Sequence, residues 1–376
     1  MSSYDAIVIG LGAHGSAAAY HLSRLGRRVL GLERFPRGHA LGSSGGLSRV
    51  IRVAYFEHPS YVPLLRRAWQ LWTELEDASG KELLLRTGGV YIGEPTSEVV
   101  IGSARSARDH SLAHEVLGAA EIERRYPAFK LKPTWVGLFE QQAGVLFPER
   151  CIEAHLRLAE RHGAELHFNE HVTQWEKDGD GVRVTSAAGT YRADRVVIAA
   201  GAWAGELLPE LARFVWVERV PLFWFEPRAV GMFSAERFPV YLVETGEDGQ
   251  FYGFPYLESQ GLKVARHHSG ERADPNNIDR SIRPSDEERV RRFVRHHLPA
   301  ADGLRRFATV CMYTNSPDGH FVIDRSPQHD GVIYASACSG HGFKFASVMG
   351  EVLAELCAEG RTRHPIEFFS AARFST

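Results

Sequence analysis

Tyr4-Asp5-Ala6-Ile7-Val8-Ile9-Gly10-Leu11-Gly12-Ala13-His14-Gly15 runs a short apolar strand straight into a glycine turn. An Ala- and Leu-rich helix is predicted over about Ser16 to Leu25, and Gly26 stands where a helix C-terminus places a left-handed residue. Arg28 to Leu32 reads as a second strand that ends at Glu33. Strand, glycines, helix, strand and acid, in that order, are what the ADP half of a dinucleotide needs. Gly10 permits the tight turn, Gly12 lets the backbone approach a pyrophosphate, and Gly15 allows close helix–strand packing. The helix N-terminus offers free N–H groups and partial positive charge to the phosphates. Glu33 is placed to bond ribose hydroxyls and to disfavour a 2′-phosphate.

Beyond this unit an amphipathic helix is expected from Tyr61 to Ala78, and Arg86 to Gly93 reads as a strand entering a different sheet. A helix over Arg150 to His162 leads to strands at 165–168, 171–177 and 181–185, the last two joined by a turn at 178–181. Ala193 to Trp203 is an apolar strand ending on small residues, and its end at Ala199 to Trp203 resembles the stretch that brings backbone near the cofactor in many flavoproteins. Residues 214–263 are rich in aromatic and β-branched residues, as in an antiparallel sheet; 280–298 read as a charged helix, 331–335 as a strand and 345–357 as the last helix. A nicotinamide enzyme would continue in regular βαβ repeats. This chain leaves for mixed β structure, which favours FAD.

The expected fold class is therefore α/β (an α+β composite). A discontinuous Rossmann-like FAD-binding domain (1–85, 146–213 and 315–376) is interrupted by an antiparallel-sheet substrate domain (86–145 and 214–314). At 376 residues the chain has room for both. A formal net charge of -2 gives no reason to expect nucleic acid, and no apolar run is long enough to span a bilayer. Asp5 and the early glycines argue against a signal peptide, and four cysteines without a CxxC pair argue against a disulfide framework, so a cytoplasmic protein is expected. No metal site is expected.

Two distant stretches carry the chemistry. Cys311-Met312-Tyr313-Thr314-Asn315-Ser316-Pro317-Asp318-Gly319-His320 reads as a strand and turn, and Ser339-Gly340-His341-Gly342-Phe343-Lys344-Phe345 as a glycine-bearing loop before the last helix. With Gly42-Ser43-Ser44, Ser48-Arg49-Val50-Ile51-Arg52, Tyr252-Gly253-Phe254-Pro255, Gly261-Leu262-Lys263 and His267, they resemble the monomeric sarcosine oxidase and N-methyltryptophan oxidase family of flavin amine oxidases over nearly the whole chain. The resemblance implies a two-domain fold like that of D-amino-acid oxidase. It implies FAD held by Gly10, Gly12, Gly15, Glu33, Arg34, Ser43, Ser44, Val172, Gly201, Gly340, Gly342, Phe343 and Lys344, with Cys311 in a thioether to the flavin 8α-methyl group.

By the same resemblance, Arg52 and Lys344 bind the substrate carboxylate, and Lys263 sits near flavin N5 and activates oxygen. Arg49 tunes the field at the flavin, Tyr252 and Tyr313 pack against substrate, and His267 is polar lining. On its own, a buried cysteine is inert packing and a strand lysine an outward-facing cation. The implied activity is oxidation of a secondary amino acid, such as an N-methyl or related cyclic amino acid. Hydride passes to FAD, water hydrolyses the imine, and oxygen leaves as hydrogen peroxide. A monomer is implied, with the amine and molecular oxygen as its small-molecule partners. An FAD-dependent dehydrogenase with another electron acceptor and a non-catalytic flavin-binding module stay open as alternatives. The family often has His-Gly-Asp after Gly-Ser-Ser, whereas this chain has Gly45-Gly46-Leu47, so the amine is left open.

Overall fold

The computed structural model describes residues 3–374. Ser3–Ile9 is a buried central strand with parallel neighbours on both sides, Val29–Leu32 and Thr190–Ile198. Glu165–His167 and His329–Ser336 extend the parallel array outward. Val322–Ser326 adds an antiparallel edge strand, and the hairpin Val172–Asp178/Gly181–Ser186 pairs with the first half of Thr190–Ile198. Strands such as Val29–Leu32 are apolar throughout because helices or loops cover both of their faces.

The helix Ala13–Arg24 leaves the first strand through Gly10, whose φ of +86° suits glycine. A Cβ at Gly15 would lie 1.7 Å from the Gly10 carbonyl oxygen, so no side chain fits there without reshaping the turn. Gly26 follows the helix at φ +75°, as its position in the sequence predicts. The last helix, Ala346–Glu359, and Pro148–Arg161 pack beside Ala13–Arg24 in the same hydrophobic core.

A nine-stranded sheet forms the second layer. Trp216–Phe225 pairs along its length with Arg305–Asn315, which sets Cys311 opposite Val220, and it also pairs with Leu262–His267, which sets Lys263 opposite Trp224. This sheet departs from the all-antiparallel expectation, because Val240–Glu244 runs parallel to Gly89–Gly93. The expected strand 86–93 is two strands. Leu84–Arg86 joins a small three-stranded sheet, and Gly88, at φ +69°, turns the chain into the large one. Helices Glu98–Asp109 and Ala119–Arg125 were not anticipated, and the charged helix starts only at Pro284, where proline is well tolerated.

Gly15→Ala is expected to cost about 3 kcal/mol or more in urea unfolding, by overpacking the turn. Gly26→Ala faces open space and should cost only about 1 kcal/mol for its left-handed backbone. Equal costs would contradict the steric account of the first turn.

Candidate functional site

A single long cleft runs along the C-terminal ends of the parallel strands into the space beneath the large sheet. At one end lies Glu33, whose carboxylate accepts hydrogen bonds from Leu11 N at 2.8 Å and Phe35 N at 3.0 Å. The Arg34 guanidinium lies over the Trp203 ring, 5.5 Å from its centre, and Val172 and Gly201 line the cleft at the same end. Next come Gly10, Gly12 and the start of the helix Ala13–Arg24, which has no acid in its first turn and no side-chain cap. Ala13 N instead donates to Ser44 Oγ at 3.3 Å.

Gly340, Gly342 and Phe343 form the facing wall. Two polar atoms of the cleft, Ser43 Oγ and His14 Nε2, are buried without a partner, which suits a bound group bringing its own donors and acceptors. The donor set, the uncapped helix and the glycine cradle fit a dinucleotide.

Farther along, Cys311 Sγ lies 3.5 Å from the Ser43 carbonyl oxygen and 3.6 Å from Arg49 Nη2. Arg49 also donates to the carbonyls of Ser48, Ser43 and Gly45. The Tyr252 and Tyr313 hydroxyls are 3.5 Å apart, with the His267 ring 5.7 Å from that of Tyr313. Burial, with His268, His341 and the nearby cations, pushes His267 well below its usual range, so it lines the cleft as a neutral ring.

Arg52 and Lys344 converge at the far end on the ring of Tyr55. The guanidinium lies 4.1 Å, and the ammonium 5.2 Å, from its ring centre. Lys344 Nζ donates to the His341 carbonyl at 2.7 Å and reaches Tyr55 Oη at 3.5 Å. Burial, then Arg52, lowers Lys344 to about 7. His341 Nε2 lies 3.0 Å from the Gly319 carbonyl, which only accepts, so Nδ1 takes the Tyr55 proton at 2.7 Å. Burial holds that ring neutral, at about 3.

Of the residues singled out in the sequence, Gly15 and Lys263 stand off the cleft wall. Gly15 serves the packing of the turn. Lys263 is 1% exposed, and its Nζ donates to the carbonyls of Gly46 at 2.7 Å and Ser48 at 2.9 Å. The other named residues line one cavity.

Three carboxylates escaped the sequence reading. Glu57 holds Arg52 Nη2 with both oxygens at 2.7 Å. Burial pushes Glu57 up, but Arg52, His341 and Lys344 outweigh it and keep the carboxyl below its ordinary value. Its signal was there: an acid five residues after an arginine within an otherwise apolar run. Glu140, 1% exposed, takes Val53 N, Ala54 N and the Tyr91 hydroxyl, fixing the backbone beyond Arg52. Glu149 accepts from Gly46 N and Leu47 N, both at 3.0 Å. Neither of these two had a local signal.

Glu57→Gln leaves Arg52 and Lys344 without their buried counter-charge. The variant should lose about 3 kcal/mol of stability. Acetate should restore part of it by occupying the freed cations. Urea unfolding with and without acetate checks this, and a variant that neither weakens nor responds to acetate contradicts the pairing.

The family model for FAD dependent oxidoreductases matches residues 5–356. The monomeric sarcosine oxidase of Streptomyces avermitilis is 47% identical over 99% of this chain and 98% of its own. The N-methyl-L-tryptophan oxidase of Salmonella dublin is 36% identical over 99% of each chain. Among solved structures, NikD, an unusual amino acid oxidase essential for nikkomycin biosynthesis, superposes with a TM-score of 0.86 at 26% identity, covering 98% of both chains. By a family match over most of its length and relatives at 47% and 36% identity, the chain belongs to the FAD-dependent oxidoreductases.

Proposed function

We propose that this protein oxidises secondary α-amino acids, N-methyl amino acids such as sarcosine or N-methyltryptophan or a related cyclic amine, with molecular oxygen as acceptor. The observation that carries the reading is the convergence of Arg52 and Lys344 around Tyr55 at the end of an FAD cleft. The relatives' names, sarcosine oxidase and N-methyl-L-tryptophan oxidase, support the amine class. The chemistry that FAD supplies when bound is hydride acceptance from the carbon next to nitrogen and return of the electrons to oxygen, released as hydrogen peroxide.

The chain's own residues prepare this reaction. Arg52 and Lys344 grip the substrate carboxylate, one by a planar fork and one as a point charge. Tyr252, Tyr313 and His267 wall the amine end, and His267, held neutral, adds no charge there. The cations Arg49, Arg52 and Lys344, set against Glu57, favour the amine that has released its proton to solvent, the form whose lone pair assists. Burial and the adjacent Arg49 hold Lys263 well below its usual range, so its affinity for a proton rises when negative charge develops on oxygen beside it.

Cys311, beside Arg49 and the mouth of the 43–49 segment, is the residue for a covalent 8α-thioether. The division into 1–85, 146–213 and 315–376 for FAD and 86–145 and 214–314 for substrate belongs to the same proposal, as does a monomer.

Acid-denatured protein should carry yellow flavin in the pellet, and Cys311→Ala should release it to the supernatant. Release from the native chain would refute the covalent bond. Below pH 7 Lys344 is charged and above it neutral, so acetate affinity should fall as pH rises through about 7. Lys344→Met should flatten that dependence, and an unchanged profile would remove Lys344 from the carboxylate site.

A further inference from the structure

The segment between the glycine turn and Arg52 holds a feature that the proposed reaction has not used. Gly46 has φ +107° and Leu47 φ +66°. Leucine rarely adopts the left-handed region, where its Cβ crowds the following carbonyl oxygen. Two consecutive backbone amides, Gly46 N and Leu47 N, point the same way and form an anion-binding concavity. The carboxylate of Glu149, 103 residues away at the start of the helix Pro148–Arg161, fills it with one oxygen 3.0 Å from each amide.

The carbonyls of the same segment face the other way, onto two cations. Lys263 Nζ donates to Gly46 and Ser48. Arg49 donates to Ser43, Gly45 and Ser48. A peptide unit whose N–H is held by an anion presents its C=O more firmly to a cation, and polarised hydrogen bonds in series strengthen one another. The Leu47 side chain packs against the apolar cluster of Val220, Leu222 and Cys311, which keeps the strained residue seated.

We infer that Glu149 is a positioning residue for Lys263: it pins the strained Gly46–Leu47 turn whose carbonyls aim the lysine. The inference rests on the role proposed above for Lys263 in oxygen reactivity. Glu149 bonds the amides of Gly46 and Leu47 and not the Lys263 ammonium, which is held by the carbonyls of Gly46 and Ser48. Its hydrogen bonds act through the backbone, so a neutral amide at 149 keeps the turn and a methyl does not.

The test uses holoenzyme, with the reductive and oxidative half-reactions measured separately by stopped flow, and hydrogen exchange of the 43–49 segment as an activity-independent readout. Glu149→Ala should slow reoxidation about tenfold or more while leaving anaerobic reduction within about threefold, and should speed amide exchange at 46 and 47. Glu149→Gln should stay near the native chain in both. Adding Leu47→Gly to Glu149→Ala should recover much of the loss, because glycine holds the turn without strain, and formate should recover it by filling the concavity. The same formate concentration on the native enzyme serves as the control.

Amide exchange at 46 and 47 unchanged from the native chain in Glu149→Ala overturns the inference, as does equal slowing of both half-reactions. A Glu149→Gln variant as impaired as Glu149→Ala overturns it too, since charge rather than the held turn would then matter. Lys263→Met separates the two layers. If it leaves reoxidation unchanged, the role of Lys263 falls and the inference with it. If it slows reoxidation and Glu149→Ala does not, the inference alone falls.

Discussion

The contact between Gly15 and the Gly10 carbonyl sets the geometry on which the rest of the molecule is built. Because nothing larger than hydrogen fits there, the helix Ala13–Arg24 leaves the central strand at close range with its free amides facing the cleft. The last helix and Pro148–Arg161 then pack against that helix in one core. The last helix brings Lys344 on the loop before it, and Pro148–Arg161 brings Glu149 near its start. A turn chosen for close packing thus fixes, through two neighbouring helices, where a buried cation and a carboxylate stand along the cofactor cleft.

The second constraint is electrostatic. Arg49, Arg52, Lys263 and Lys344 all sit in or beside one poorly solvated space, where unpaired charge is costly. The chain meets that cost in different ways. Arg52 has a carboxylate partner in Glu57, whereas Arg49 and Lys263 are held mainly by backbone carbonyls. Lys344 donates to a carbonyl and meets a phenol oxygen, with the Glu57 carboxylate nearby, and both lysines give up much of their proton affinity. A carbonyl cage positions a cation without neutralising it, which leaves the field available to whatever anion or developing charge arrives.

Much of this was legible in the sequence, and what was not has physical reasons. Gly10, Gly12, Gly15 and Glu33 could be read because a βα turn and the acid ending the next strand are local to some thirty residues. Arg52, Cys311 and Lys344 came from motif resemblance, and the fold gathers them into one cleft. Lys263, expected near flavin N5, has its ammonium behind Gly46, because its strand pairs deep in the sheet opposite Trp224. Glu149 and Glu140 act on backbone far away in sequence, and no periodicity or spacing encodes such a partner. The parallel pairing of Val240–Glu244 with Gly89–Gly93 escaped for the same reason, since strand direction depends on closure across a long stretch of chain.

Anaerobic mixing of the holoprotein with an N-methyl amino acid, and with the matching N-methyl amine that lacks the carboxylate, tests the central claim most directly. The account predicts that the amino acid bleaches the flavin's visible band, that the carboxylate-free amine does so far more slowly, and that admitted oxygen restores the colour with release of peroxide. A flavin that neither compound bleaches, or that both bleach equally well, would contradict it.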